Sequence, residues 1–177
     1  MSAKKVLLVI GFGFCPLFGG YCFTNKKLSE KTFEVLEKNK ESKAFIQWSV
    51  SYEMQNMDSI RFSGILNSVY IYEEKKEYVP TLKIIKYFRE WQKKSCPEMQ
   101  RIILITAPPL WGRCLNEIQR YFPGVNVSVE TFAGTIEEEL WFMERSTLWW
   151  TRSKRQWKVR EKMLSLLPWR VYEFLFS

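Results

Sequence analysis

The segment "ILITAPPLWGRCLNEIQRYFPG", Ile103 to Gly124, decides how the rest of the chain is read. From Arg101 to Thr106 the apolar residues run on without alternating, the pattern of a strand covered on both faces. Pro108 and Pro109 stiffen the exit, and the spacing predicts a helix from Leu110 to Phe122, stopped by Pro123-Gly124. Arg113 falls in the first turn of that helix, where a cation opposes the helix dipole at a cost of about 0.3–1 kcal/mol. That placement calls for compensation by an anionic ligand or by a carboxylate from another loop; the local alternatives are solvent and Glu117, four residues on.

The same strand-to-helix step recurs in both directions along the chain. Val6 to Ile10 is a second continuous apolar run, ending at Gly11, and reads as a buried first strand. Leu28 to Asn39 reads as an amphipathic helix with Ser29 available as its cap, and Ala44 to Val50 as a second strand. Tyr52 to Asn67 is polar and reads as a long loop, or a short helix plus loop. Ser68 to Tyr72 is a third strand, and Val79 to Lys94 a helix with Pro80 in its first turn. Val125 to Phe132 alternates as a fifth strand. Thr135 and Glu138 have capping-box spacing before a long aromatic helical region, which Pro168 breaks ahead of Trp169 to Phe176. Such alternation predicts one domain over residues 1–177, a three-layer α/β sandwich with a mostly parallel sheet of about five strands and C-terminal helices.

Composition narrows the chemistry. At 46% hydrophobic and 16% aromatic residues, the chain can fill one sizeable core. It contains no histidine, which removes the usual general base near neutral pH, Ser-His-Asp and Cys-His arrangements and the commonest zinc ligand. The four cysteines show no C-x-x-C spacing, so the plain reading is a reduced, cytoplasmic compartment without a metal site, with a Cys15–Cys22 bridge left open. The apolar run after Lys4 and Lys5 also mimics a secretory leader. It lacks an A-x-A-like site and is too short to span a bilayer, so membrane association through it is the alternative to a buried strand.

In an open parallel sheet, ligands settle beyond the carboxyl ends of the strands. Three corners therefore hold candidate residues. Gly11 and Gly13 after the first strand allow close approach of a phosphate or carboxylate to backbone amides, or simply make a sharp strand exit. Glu73 and Glu74 after the third suit a ribose hydroxyl, a cation or an amine, and equally a solvated charged turn. Thr106, Trp111 and Arg113 after the fourth form the most informative corner: the first and last would contact an anion while Trp111 closes over it.

The glycine-terminated first strand, the repeated strand-helix units, "LITAPPLWGRC" and the closing aromatic helices together resemble the YdcF/SanA/ElyC-type domain family of bacteria. The resemblance spans nearly the whole chain and implies a Rossmann-like fold. It aligns Thr106 and Arg113 with the threonine and arginine of a V-T-S-x-x-H-x-x-R-A-like motif. Leu110 stands where that motif has histidine, and around Thr81 the polar partners of an S-x-N-T-x-E-N-like motif are replaced. The resemblance implies a small anionic or nucleotide-like ligand at the strand ends, S-adenosylmethionine among the candidates, and a link to cell-envelope processes. It carries over no reaction and no catalytic residue.

Residues 145–162 hold seven cations against the one carboxylate of Glu161, nearly the whole excess behind the net charge of +8. Trp149, Trp150 and Trp157 are interleaved with them. In one reading the tryptophans cover the sheet while Lys and Arg line the outer face of an amphipathic helix. In another the segment lies on an anionic membrane surface or a protein partner, and nucleic acid fits least, because the apolar residues that follow do not suit a phosphate backbone. This second function class is a non-catalytic interaction protein.

Overall fold

The computed structural model describes residues 5–11, 23–72, 79–132, 141–142 and 149–176. Strands β1 (Lys5–Ile10), β2 (Lys43–Gln47), β3 (Val69–Tyr72), β4 (Arg101–Thr106) and β5 (Asn126–Val129) form one all-parallel sheet in the order β3-β2-β1-β4-β5. The central pair, β1 and β4, runs in register from Lys5↔Arg101 to Ile10↔Thr106. Both are apolar along their length because both of their faces are covered. Val6, Leu8, Ile102 and Leu104 point into one core, and Leu7, Val9, Ile103 and Ile105 into the other.

Helices α1 (Phe23–Lys38), α2 (Trp48–Met57) and α3 (Ser59–Ile65) cover the second face, with Leu28, Phe33, Val50, Met54 and Phe62 buried against it. Helices α4 (Thr81–Ser95) and α5 (Trp111–Tyr121) cover the first through Ile84, Ile85, Phe88, Cys114 and Ile118. The result is a three-layer, Rossmann-like α/β sandwich. Helices α6 (Lys154–Ser165) and α7 (Trp169–Phe176) lie outside α4 and α5, tied to them by Arg113–Glu161 and Lys86–Glu173 ion pairs. No helix among the described residues is long and apolar enough to cross a membrane.

Three local expectations change. β2 ends at Gln47, and the residues expected to continue it begin α2. There Val50 and Met54, four apart and both fully buried, follow helical spacing rather than strand alternation. The polar stretch 52–67 is mostly helical, with Asp58 separating α2 from α3 and accepting a hydrogen bond from the Arg61 amide at 2.9 Å. Ser29 is interior to α1, which starts at Phe23; its hydroxyl donates to the Val50 carbonyl at 3.1 Å and fastens α1 to α2. The helix begins a turn earlier than its apolar pattern because Thr24 and Asn25, although polar, are buried. The Thr135–Glu138 capping box lies outside the described residues.

Candidate functional site

The strand order places a topological switch point between β1 and β4. The connection from β1 runs through α1 on one face to β2, and that from β4 through α5 on the other face to β5. The two connections part at the carboxyl ends of these strands, the place where open α/β sheets bind ligands. The floor of the switch point is the Ile10–Thr106 pair, where the Thr106 hydroxyl, wholly buried, donates to the Ile10 carbonyl at 2.9 Å.

On the β4 side, polar groups are consumed by the protein itself. Pro108–Leu110 forms a 3-10 turn closed by the Leu110 amide on the Ala107 carbonyl at 2.9 Å. The Trp111 indole N–H donates to the Thr106 carbonyl at 2.9 Å. Arg113 turns away from the strand ends toward α6: its guanidinium is ion-paired with Glu161, Nε donates to Glu161 Oε2 at 3.2 Å, and the group lies 5.0 Å from the Trp157 ring. The cation at the start of α5 is thus compensated by a carboxylate from another element, 48 positions along the chain. The nearer candidate, Glu117, accepts a hydrogen bond from Tyr172 of α7 instead. Glu117 is buried, and desolvation outweighs that hydrogen bond and the charges of Arg113 and Arg160, raising its pKa to about 7. A groove of about 660 Å³ runs along this side of α5 between α6 and α7. Of the residues that line it, Arg113 pairs with Glu161 and Glu117 Oε1 accepts from Tyr172, while Glu117 Oε2 is buried without a hydrogen-bond partner among the described residues.

The β1 side is different. The Gly11 amide donates to Gln47 Oε1 at 2.9 Å, joining the ends of β1 and β2. A Cβ at position 11 would stand 2.7 Å from Ser49 Oγ and 3.3 Å from Asn25 Oδ1. Glycine is required there by close approach of polar side chains rather than by backbone conformation. Ser49 Oγ and Glu53 Oε2 are buried without a hydrogen-bond partner among the described residues. These two residues are one turn apart on α2 and share a side. Burial raises the Glu53 pKa, and the charge of Lys26 on α1 opposes that shift.

Of the residues singled out from the sequence, Gly11 and Thr106 meet at the switch point, Trp111 is held beside them, and Arg113 faces α6. Gly13, Glu73 and Glu74 lie outside the described residues. Asn25, Gln47, Ser49 and Glu53 were not singled out. Gln47 carried the available signal, because it is the last residue of a strand and the carboxyl-end rule applies to every strand. No group of three His, Cys, Asp or Glu side chains among the described residues is placed to hold a metal ion. The Cys114 thiol is wholly buried and its pKa is pushed up by desolvation, so it is no nucleophile near neutral pH. No family model, curated protein or solved structure matches the chain.

Proposed function

We propose that the protein binds a small nucleotide-like or sugar-phosphate ligand in the crevice at the carboxyl ends of β1 and β2. The observation that carries this reading is the β3-β2-β1-β4-β5 order, which opens a switch point where Gly11 presents bare backbone among polar side chains. Ser49 and Glu53 supply acceptors suited to ligand hydroxyls, and Lys26 contributes positive charge near Glu53. The YdcF-type resemblance supports the location at the strand ends. The residues differ from the motif-aligned ones, because Thr106 and Arg113 already have partners within the fold. The proposal is for binding and assigns no reaction.

Thermal denaturation against adenine and guanine nucleotides, S-adenosylmethionine and sugar phosphates tests the proposal. A compound at a hundred times its Kd contributes about 2.7 kcal/mol, a shift of roughly 5–10 °C for a chain of this size. At least one compound is expected to reach it with the wild type and to lose it with Gly11→Ala and with Ser49→Ala. A panel without any shift overturns the reading.

A further inference from the structure

Helices α6 and α7 have two kinds of surface. Their inner sides are tied to the body through Trp157 and Tyr172, which are buried, and through Glu161 and Glu173, the two carboxylates they carry. Glu161 pairs with Arg113 and Arg160, and Glu173 with Lys86 while accepting a 2.6 Å hydrogen bond from Tyr121. Trp150 and Trp157 pack on the hydrophobic core, so these two tryptophans face inward.

The outer sides hold six of the eleven large exposed apolar side chains among the described residues, including Met163 at 62%, Leu166 at 76% and Phe174 at 84% exposure. On α6, exposed Arg155, Lys158, Val159, Lys162, Met163 and Leu166 recur at helical spacing along one stripe. On α7, Arg170 accompanies Val171, Phe174 and Leu175. Each helix therefore exposes cations together with apolar side chains, while the carboxylate it carries is paired with a residue of the body.

We propose that the α6–α7 face docks on an anionic lipid surface. Apolar side chains enter the boundary between headgroups and acyl chains, and Arg155, Lys158, Lys162 and Arg170 extend to the lipid phosphates. The mixture of side chains selects this occupant. A second copy of the same face would set cation against cation, and a nucleic acid would leave Leu166 and Phe174 without an apolar partner. A bilayer surface with negative headgroups satisfies both kinds of side chain. The proposal stands apart from ligand binding at the strand ends and uses none of its residues.

Co-sedimentation of the full chain with vesicles of phosphatidylcholine alone, or mixed with phosphatidylserine, tests it. Binding is expected to the mixed vesicles and to fall steeply with salt. Neutralising Arg155, Lys158 and Lys162 to Gln is expected to weaken binding roughly 100-fold, at about 5-fold for each cation near the surface. Leu166→Ser with Phe174→Ser is expected to weaken it about 10-fold or more through lost apolar insertion. All five side chains are exposed, and circular dichroism with thermal denaturation confirms that the variants fold. Failure of the wild type to bind mixed vesicles overturns the proposal. So does binding left unchanged by either set of substitutions, or a dimer in solution that Phe174→Ser dissociates while vesicle binding is absent.

Discussion

The two strands that meet at the switch point end in opposite ways. Beyond β4, the Thr106 hydroxyl, the Trp111 indole and the Arg113 guanidinium each have a partner inside the protein. Beyond β1, Ser49 carries a buried oxygen with no hydrogen-bond partner among the described residues, close to a glycine that leaves no room for a side chain, and Glu53, one turn further along α2, carries another. A buried polar atom without a partner costs about 1–3 kcal/mol. Glu117 Oε2 on α5 bears the same kind of cost, but the strand-end groups Thr106 and Trp111 of the β4 corner are paired as in a structural joint, whereas the β1 corner holds unpaired oxygens that a bound ligand would satisfy. A joint weakens when its polar groups are removed, and a binding site loses ligand while its stability holds or improves.

The largest expected effect lies on the joint. Arg113→Ala removes a guanidinium whose side chain is 10% exposed and leaves Glu161 with Arg160 as its remaining ion-pair partner. It is expected to cost about 2–4 kcal/mol, lowering Tm by roughly 5–15 °C, and to increase proteolysis at α6. Ligand-induced stabilisation, measured against the variant's own unliganded Tm, should persist.

The next effect is a pH dependence from Glu117, whose pKa rises from an ordinary 4.5 to about 7 in the fold. Between these values the native state retains a proton that the unfolded state has released, so stability falls as pH rises across that window. The loss amounts to about 3 kcal/mol, at 1.4 kcal/mol for each pH unit of separation. Urea denaturation at pH 5 and pH 8 should show this fall in the wild type and a clearly smaller one in Glu117→Gln. The carboxylates of Glu34, Glu90 and Glu173 are shifted down by lysine or tyrosine partners, so any stability they lend is lost below that window, as acid protonates them. Glu53, whose carboxyl is also shifted upward by burial, acts in the same direction above 4.5, so the part of the fall that Glu117→Gln removes is the part that reports on Glu117.

Smaller again is Thr106→Val, which keeps the shape and removes the hydrogen bond to the Ile10 carbonyl. The expected cost is about 1–2 kcal/mol in the denaturation midpoint. Ser49→Ala reverses the sign. Removing a buried hydroxyl without a partner, in a helix that favours alanine, should raise stability by about 0.5–1 kcal/mol while abolishing the ligand-induced shift. Equal destabilisation by the two substitutions would erase the distinction between the corners.

Much of the fold is legible along the chain because a few residues have only one use there. The unbroken apolar runs of β1 and β4 require cover on both faces, which commits the chain to a parallel sheet with helices on either side. Pro123-Gly124 ends α5 where expected, with Gly124 at φ 81°. α2 was not legible, because its buried positions are few and mix with Ser, Glu and Gln that also suit a loop. The sequence showed that the cation at position 113 needs compensation. It did not show that Glu161 provides it, since a partner 48 residues away is brought near only by tertiary packing. The β1 corner was half legible: Gly11 announced a close approach, and the side chains approaching it come from α1, β2 and α2, three separate elements.

Thermal denaturation of the wild type, Ser49→Ala and Arg113→Ala, each with and without a saturating nucleotide or sugar phosphate, sets the two corners against each other most directly. A ligand at the β1 corner raises Tm by roughly 5–10 °C in the wild type and in Arg113→Ala, and leaves Ser49→Ala unmoved. A shift that survives in Ser49→Ala and disappears in Arg113→Ala would place the ligand at the corner described here as a joint, and would contradict the account.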